Sequence, residues 1–221
     1  QMCIRDRYGV QTLRGIENFR ISKFHLNEYP LFIQALAITK MGAAIANREL
    51  DLLTKEQTDA ILKACKEILE GKYHDQFPVD MIQGGAGTTT NMNANEVIAN
   101  RALELMGHQR GEYQYCSPND HVNRSQSTND AYPTAIHIGL YYTHLKLVKH
   151  FETLIQSFRK KGEEFANIIK MGRTQLEDAV PMTLGQTFNG FASILSHEIK
   201  NLDFAAQDFL AVNMGATAIG T

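Results

Sequence analysis

The sequence lacks the features that mark a membrane, secreted or nucleic-acid-binding protein. No apolar run approaches the roughly 20 residues that a membrane-spanning helix needs, and no basic stretch followed by an apolar one opens the chain as in a secretory signal. Neither sign of charge is in excess, since 22 Lys and Arg stand against 24 Asp and Glu, whereas phosphate binding favours a basic excess. We therefore expect no membrane or nucleic-acid partner and a cytoplasmic location.

Cysteine is scarce, and the common metal and nucleotide motifs are missing. The three cysteines, Cys3, Cys65 and Cys116, lie far apart without a CxxC pair, which predicts free thiols in a reducing compartment. None of the eight histidines pairs at metal-ligand spacing with a cysteine or another histidine in a loop, so we predict no metal site. The GxxxxGKS/T, GxGxxG and GxSxG motifs are absent, which argues against nucleotide binding and a hydrolase nucleophile.

What the sequence does contain is apolar residues at helical spacing, within a chain of 221 residues that is 43% hydrophobic. Alternation with period two is almost absent, so the sequence predicts a mainly α fold with little sheet. A helix is predicted over 30–50, beginning at Pro30. Its predicted apolar face consists of Leu31, Ala35, Ile38, Gly42 and Ile45.

Two more helices are predicted in the first half of the chain. Thr54 and Gln57 form a capping box that begins one helix, and Gly71 ends it. Its predicted buried residues are Ile61, Leu62, Cys65, Ile68 and Leu69. The other helix is predicted over 91–106, after a glycine-rich loop over 72–87. Its two faces carry different residues, with Asn93, Glu96 and Asn100 on one and Ala94, Ile98, Ala102 and Leu105 on the other.

The second half has the pattern of a long-helix bundle. Apolar residues and one glycine recur at alternating spacings of three and four, a heptad seam formed by Val148, Phe151, Ile155, Phe158, Gly162, Phe165 and Ile169. Gly162 is either a weak point in this seam or a site of close helix approach. A second long helix is predicted from Phe188, Phe191, Leu195, Leu202, Phe209 and Val212. We expect a small helical N-terminal domain over 8–127 and part of a bundle over 128–221.

Both ends of the chain are unusual. Residues 1–7 (QMCIRDR) show no periodicity and do not lead naturally into Tyr8, so they are interpreted as a foreign or misread leader. The chain stops at the glycine-rich GATAIGT, without a closing helix. We interpret the sequence as a piece of a longer protein, with a genuine short protein as the alternative.

Three patches are dense in small, neutral hydrogen-bonding residues. They are 83–91 (QGGAGTTTN), 125–130 (SQSTND) and 172–181 (GRTQLEDAVP), the last of which is predicted to be a loop. Such donors suit a small, multiply charged acid, above all where they precede a helix. Each patch alone also has a structural interpretation: a flexible helix start for the first, N-capping by a residue such as Asp130 for the second, and for Arg173 a tie to Glu177 or Asp178.

Taken together, the patches resemble the signature regions of the aspartase/fumarase superfamily. GTTTNMNANE resembles the first region and SQSTND the second, and YGVQTLRGIENF, from Tyr8, resembles the usual opening of the family. The third region, which carries a mobile loop with the catalytic base serine, would lie beyond Thr221. The resemblance implies a helical fold, a homotetramer whose sites are shared between subunits, and a small dicarboxylate or amino-acid substrate.

Within the superfamily, the wording favours the lyases that eliminate ammonia from L-aspartate to give fumarate. Thr128 and Gln175 stand where class II fumarases usually carry Ser and His, and Ser117 replaces another His that is common in fumarases. The implied reaction abstracts a proton beside the side-chain carboxylate and passes through its aci form. The alternatives are a class II fumarase acting on L-malate and a non-catalytic helical assembly protein.

The resemblance also implies a role for individual residues. Thr88, Ser127 and Thr128 would hold the reacting carboxylate, while Thr174 would contact the other carboxylate. Asn129 and Gln175 would contact the ammonium leaving group, so Thr128, Asn129 and Gln175 are the predicted catalytic residues. No organic cofactor is implied, and activation by a divalent cation is left open. Without the base serine, the 221-residue piece alone is expected to be inactive.

Overall fold

The computed structural model describes residues 6–85 and 87–216, and it is mostly helical, as predicted. The longer helices are α1 (Val10–Asn18), α2 (Pro30–Glu49), α3 (Lys55–Leu69), α4 (Thr88–Leu105), α5 (Thr128–Glu164) and α6 (Leu184–Ala206). One antiparallel hairpin joins α5 to α6 and consists of β1 (Ile169–Thr174) and β2 (Glu177–Thr183). Short 3-10 helices span Leu26–Glu28, His74–Gln76 and Gln207–Leu210, and a π-helical turn spans Pro118–Val122. The chain forms two compact units, 1–140 with 211–221, and 141–210.

The core of the first unit lies among α2, α3 and α4. Its fully buried side chains include Leu36, Ile61, Ile68, Val97, Ile98 and Leu103. The predicted helix starts are confirmed, because α2 begins at Pro30 and the Thr54 hydroxyl accepts the Gln57 amide in a capping box. In α3, Ile61, Cys65 and Ile68 are buried as predicted, and Leu62 and Leu69 are half-buried. Cys65 and Cys116 are buried free thiols, and Cys3 lies outside the described residues.

The predicted apolar face of α2 is wrong. Ala35 is buried, but Gly42 and Ile45 are exposed and Leu31 and Ile38 are half-buried. The buried face instead contains Ile33, Leu36, Ala37, Lys40, Ala44 and Asn47. Two residues of this buried face, Lys40 and Asn47, are polar, so the spacing of apolar residues alone does not reveal it.

Helix α4 is buried on nearly all sides and begins three residues earlier than predicted. Gly87 precedes it in the left-handed conformation (φ 83°), and Gln83 caps its first turn by accepting the Thr90 amide at 2.8 Å. Because the cap comes from a side chain in the preceding loop, the run of β-branched threonines becomes helical despite its modest propensity.

Both predicted faces of α4 are buried except at the half-buried Leu105, so the polar side chains of Asn93, Glu96 and Asn100 serve the fold. Asn93 donates to the Gln76 carbonyl, and Asn100 donates to the Arg7 carbonyl at 2.7 Å. Glu96 accepts the amides that begin α1, a helix the sequence pattern did not predict. Of the predicted leader, residues 1–5 lie outside the described part, and the Arg7 guanidinium lies over the Tyr73 ring.

In the second unit, α5 and α6 pack along the predicted heptad seam. The seam is confirmed from Val148 to Phe165, whose residues are buried or half-buried. As the residue number rises along α5, the number of its partner on α6 falls. His144 bonds Asp203, Phe158 contacts Phe191, and Phe165, just after α5, contacts Phe188. The helices are therefore antiparallel.

The ends of both long helices differ from the prediction. α5 ends at Glu164, so Ile169 falls in β1, where it is 79% exposed. α6 ends at Ala206, which places Phe209 in a 3-10 turn and Val212 beyond it. The heptad spacing predicted a seam that extends beyond the end of α5. Phe165 still contacts Phe188 although it lies after the last helical residue, Glu164, so spacing alone does not mark the helix end.

Gly162 is a site of close helix approach, one of the two predicted alternatives. A Cβ built at Gly185 of α6 would overlap the Gly162 carbonyl, and a Cβ at Gly162 would overlap the Asn189 amide. The two helices therefore touch through backbone at this level of the seam.

The predicted loop over 172–181 is wrong, because these residues form most of the β-hairpin. The strands pair from Ile169 with Thr183 to Thr174 with Glu177, with an irregularity between Met171 and Arg173. Most side chains on both faces of the hairpin are exposed. A strand without a buried face need not alternate apolar and polar residues, so the sequence shows no strand signal here. The expectation of little sheet is confirmed.

In the described part of the chain, no helix is long and apolar enough to cross a membrane.

Candidate functional site

The first unit brings the beginnings of α4 and α5 side by side. A Cβ at Gly87, just before α4, would overlap the ring of Tyr132 in the first turns of α5. Four residues into α4, the Asn91 amide nitrogen donates to the Thr128 hydroxyl at 3.0 Å. Two helix N-termini, and with them the positive ends of two helix dipoles, therefore share one region, which suits an anion.

Four of the predicted site residues lie at these two helix starts. Thr88 and Asn129 are exposed, while Ser127 and Thr128 are half-buried. Of the four, Asn129 lines a cleft of about 560 Å³, together with Gln83, Gly85, Gly87 and Tyr132, among others. The structure thus groups Thr88, Ser127, Thr128 and Asn129 at two neighbouring helix starts, and none of the four is fully buried.

Ser127 and Asp130 form a cap at the start of α5, so the predicted capping role is confirmed for this patch. The Asn129 amide donates to the Ser127 hydroxyl at 3.2 Å, and the Ser127 amide donates to the Asp130 carboxylate at 3.1 Å. Capping and binding are compatible, because a hydroxyl that accepts one bond keeps its own proton for another acceptor.

Pro133 frees a carbonyl next to this cap. Proline has no amide proton for the carbonyl four residues earlier, which belongs to Asn129. The Asn213 side chain donates to that carbonyl instead, at 3.0 Å. The segment after the second unit therefore helps hold the Asn129 backbone in place.

A buried lysine that the sequence interpretation missed stands behind the site. The Lys40 ammonium donates to three side-chain oxygens, Asn91 Oδ1 at 2.7 Å, Asn123 Oδ1 at 2.9 Å and Gln126 Oε1 at 2.9 Å. Burial lowers the pKa of Lys40 to about 7, and the nearby Cys65 and Asp130 act in the opposite direction. The available signal was a lysine at helical spacing from Leu36, Ala37 and Ala44.

Thr174 and Gln175 belong to the second unit, where both are exposed at the tip of the hairpin. Gln175 (φ 50°) and Leu176 (φ 67°) are both left-handed, as in a type I′ turn. That turn favours Asn and Gly, so two larger side chains store backbone strain here, a feature that often accompanies function. The predicted tie of Arg173 is confirmed, with its Nε 3.7 Å from an Asp178 carboxylate oxygen.

Among residues 6–85 and 87–216, no three or more His, Cys, Asp or Glu side chains cluster as a metal site would require. The predicted donors are hydroxyls and amides, which bind carboxylates better than they bind transition metals. This set of donors is compatible with an organic anion.

A protein-family model described as "Lyase" matches residues 5–221 of the chain. The chain is similar to "Aspartate ammonia-lyase" from Pseudomonas canavaninivorans, at 58% identity over 97% of the chain and 45% of the relative. It is 56% identical to the protein of the same name from Escherichia coli (strain K12), with the same coverage. The chain thus spans about half the length of the curated relatives it matches.

Solved structures give the same picture of the fold. The chain resembles a "fumarate lyase:delta crystallin" from Brucella melitensis bound to cobalt, with a TM-score of 0.96 and 50% identity over 100% of the chain and 48% of that protein. It also resembles a recombinant class II fumarase from Schistosoma mansoni, with a TM-score of 0.88 and 36% identity over 99% of the chain and 46% of that protein.

Proposed function

The chain belongs to the lyase family whose model matches it from residue 5 to residue 221, and we propose that the full-length protein eliminates ammonia from L-aspartate to give fumarate. Relatives that are 56–58% identical carry the name of this activity. The observation that supports the proposal is the pair of adjoining helix starts, which carry Thr88, Ser127, Thr128 and Asn129 and border a cleft that Asn129 lines.

Neutral donors suit this elimination because of where negative charge develops. Removing a proton beside the side-chain carboxylate of L-aspartate pushes an electron pair onto that carboxylate, which becomes a dianionic aci form. Donors already aimed at its oxygens stabilise this form more than the ground state. In the proposal, Thr88, Ser127 and Thr128 hold the reacting carboxylate and thereby lower the barrier.

The remaining predicted residues would serve the other groups of the substrate. Asn129, and Gln175 on the hairpin, would contact the departing ammonium, and Thr174 would contact the second carboxylate. The left-handed Gln175 supports this assignment, since a strained and fully exposed turn has no evident value for the fold alone. The proton-abstracting base would be a serine beyond Thr221.

Elimination of water from L-malate is the competing reaction. The class II fumarase with a solved structure is 36% identical to the chain, against 56–58% for the ammonia-lyases. Thr128 and Gln175, in place of the Ser and His of most fumarases, favour L-aspartate as the substrate.

A homotetramer in the cytoplasm completes the proposal. The second unit leaves large apolar side chains uncovered, including Ile194 at 61% and Phe204 at 83% exposure. Faces of this kind need partner helices, which the rest of the chain and other subunits would supply. Sedimentation of the full-length protein as a monomer would contradict this assembly.

The deciding experiment measures fumarate formation by the full-length protein from L-aspartate and L-malate in parallel. Formation from L-aspartate alone supports the proposal. Formation from L-malate alone would make the protein a fumarase, and formation from neither would leave a structural role. The purified 221-residue piece serves as the control and is expected to release no ammonia.

A further inference from the structure

Lys40 is a fully buried charged residue of the first unit, and the proposed reaction gives it no task. Its side chain is 0% exposed, so it touches no substrate. A buried ammonium is costly unless every proton finds an acceptor. Here three amide oxygens accept from it within 2.9 Å, which is the complete complement of an ammonium's three protons.

The ammonium fixes the direction of the neighbouring amide. Protonated Lys40 can only donate, so in this form the oxygen of Asn91 must face Lys40, and the nitrogen of Asn91 must face the other way. That nitrogen donates to the Thr128 hydroxyl at 3.0 Å and to Asn123 Oδ1 at 3.1 Å. Asn91 is 1% exposed, so no solvent competes for either end of the amide.

The same logic sets the direction of the Thr128 hydroxyl. Since its oxygen accepts from Asn91, its proton must point to a different acceptor. Within residues 6–85 and 87–216, the Thr128 hydroxyl accepts from Asn91 and donates to no other group. The half-buried Thr128 therefore keeps a proton to donate at the shared helix starts.

Lys40 also anchors the loop that delivers Thr128. It holds Asn123 and Gln126, which lie five and two residues before Thr128. Asn123 in turn donates to the Gln126 carbonyl at 3.0 Å, and Gln126 donates to the Val122 carbonyl at 2.9 Å. One ammonium thus fixes both the position of the loop and the polarity of the chain of bonds that ends at Thr128.

We propose that Lys40 is a positioning residue which, through Asn91, keeps the Thr128 hydroxyl oriented as a donor to the carboxylate of the substrate. This inference rests on the proposed function, because it needs a carboxylate at Thr128. It adds a residue outside the polar patches to the machinery of the reaction.

The test uses two variants of the full-length protein. Lys40→Gln offers fewer protons and can also accept, so the Asn91 amide can turn round. Asn91→Asp keeps an acceptor for Lys40 but turns its second oxygen into an acceptor as well, which captures the Thr128 proton. We expect each variant to lower kcat by about tenfold with little change in KM, as for loss of a donor used mainly in the transition state. Lys66→Gln, on the exposed side of α3, is the matched control.

A double-mutant cycle separates positioning from a merely structural role. In a Thr128→Val background, where no hydroxyl remains, Asn91→Asp should have almost no further effect on kcat. In a Thr128→Ser background, the hydroxyl remains and the tenfold loss should persist. If Lys40→Gln fails to fold, the Asn91→Asp cycle still decides the question.

The outcomes are distinct from those of the proposed function. Wild-type enzyme is assayed first with L-aspartate and L-malate, and the variants are assayed with whichever substrate it converts. An active wild type whose Asn91→Asp variant keeps its kcat, or loses equal activity with and without the Thr128 hydroxyl, overturns the inference alone. A wild type that converts neither substrate overturns the proposed function, and the inference falls with it.

Discussion

The carboxylate of Glu96 holds Thr12, 84 residues earlier in the chain, by two hydrogen bonds. The Thr12 amide donates to Glu96 at 3.0 Å and its hydroxyl at 2.6 Å. The amides of Gly9 and Gln11 donate to the same carboxylate at 2.8 Å each. Glu96 lies in α4 but caps the first turn of α1. Its negative charge is favourable there, because the N-terminus of a helix carries a partial positive charge.

Glu96→Gln should destabilise the full-length protein. The amide nitrogen of glutamine would face backbone donors, leaving buried polar groups unpaired at a cost of about 1–3 kcal/mol. The free energy of unfolding, measured in urea, checks this, with the exposed Glu163→Gln as the control. Equal stability of the two variants would contradict the capping role.

Thr128→Ala should lower turnover far more than stability. Loss of one preorganised donor to the aci-carboxylate is expected to reduce kcat by about 10²-fold, or about 3 kcal/mol. Because Thr128 is half-buried and begins a helix, the melting temperature of the variant protein should change little. Unchanged turnover would remove Thr128 from the site.

Leu176→Gly should stabilise the hairpin. Leu176 is left-handed and fully exposed, so glycine relieves strain without loss of packing, worth on the order of 1 kcal/mol. Slower amide exchange of residues 174–177 would show this. Leu176→Ala is the control, since it removes the side chain but keeps the Cβ, and it should bring no gain.

Gly185→Ala and Gly190→Ala should shift stability in opposite directions. A Cβ at Gly185 overlaps the backbone of α5, which costs about 1–3 kcal/mol when the core cannot relax. A Cβ at Gly190 meets no described atom within 4 Å, so alanine should gain about 0.5–1 kcal/mol from helix propensity. Thermal unfolding of both variants tests the close approach, and similar melting temperatures would argue against it.

Asp80 should make the fold sensitive to acid. Burial raises the pKa of this carboxyl, but hydrogen bonds from the Ser22 amide and hydroxyl and from the Ile21 and Ile82 amides outweigh it and lower the pKa from 3.8 to about 2. Because the folded pKa lies below the unfolded one, the stabilisation is fully present above about pH 4 and is lost between about pH 4 and 2.

Asp80→Asn removes this titration, so stability measured from pH 5 to pH 2 should fall less steeply than in the wild type. Asp59→Asn, at a carboxylate whose side chain is 64% exposed, is the matched control. Parallel curves for the wild type and Asp80→Asn would contradict the assignment.

Local signals predicted the elements whose causes are local. Pro30 and the Thr54–Gln57 box mark helix starts through the chemistry of a single turn, and the heptad seam around Ile155 follows from which residues must face another helix. Prediction failed where the pattern of apolar residues gives no signal or where the cap lies outside the first turn of the helix. The hairpin around Gln175 buries too few side chains to show an alternation of apolar and polar residues. The start of α4 depends on a cap from the Gln83 side chain, which lies in the preceding loop.

The sequence by itself determined the helical class, the seam between the long helices and the residues at the two adjoining helix starts, because periodicity and small polar clusters are properties of neighbours in the chain. Only the tertiary structure decided which polar residues build the fold and which remain accessible. Asn93, Glu96 and Asn100 look as polar as Thr128 and Asn129 in the sequence, yet all three are buried. Asn93 donates to the Gln76 carbonyl, and Glu96 and Asn100 bond the N-terminal segment. Lys40 looks like a surface charge, yet three oxygens from distant segments surround it. Burial is a property of the assembled molecule, and a polar group's role depends on whether its partner is a backbone, another side chain or an open cleft.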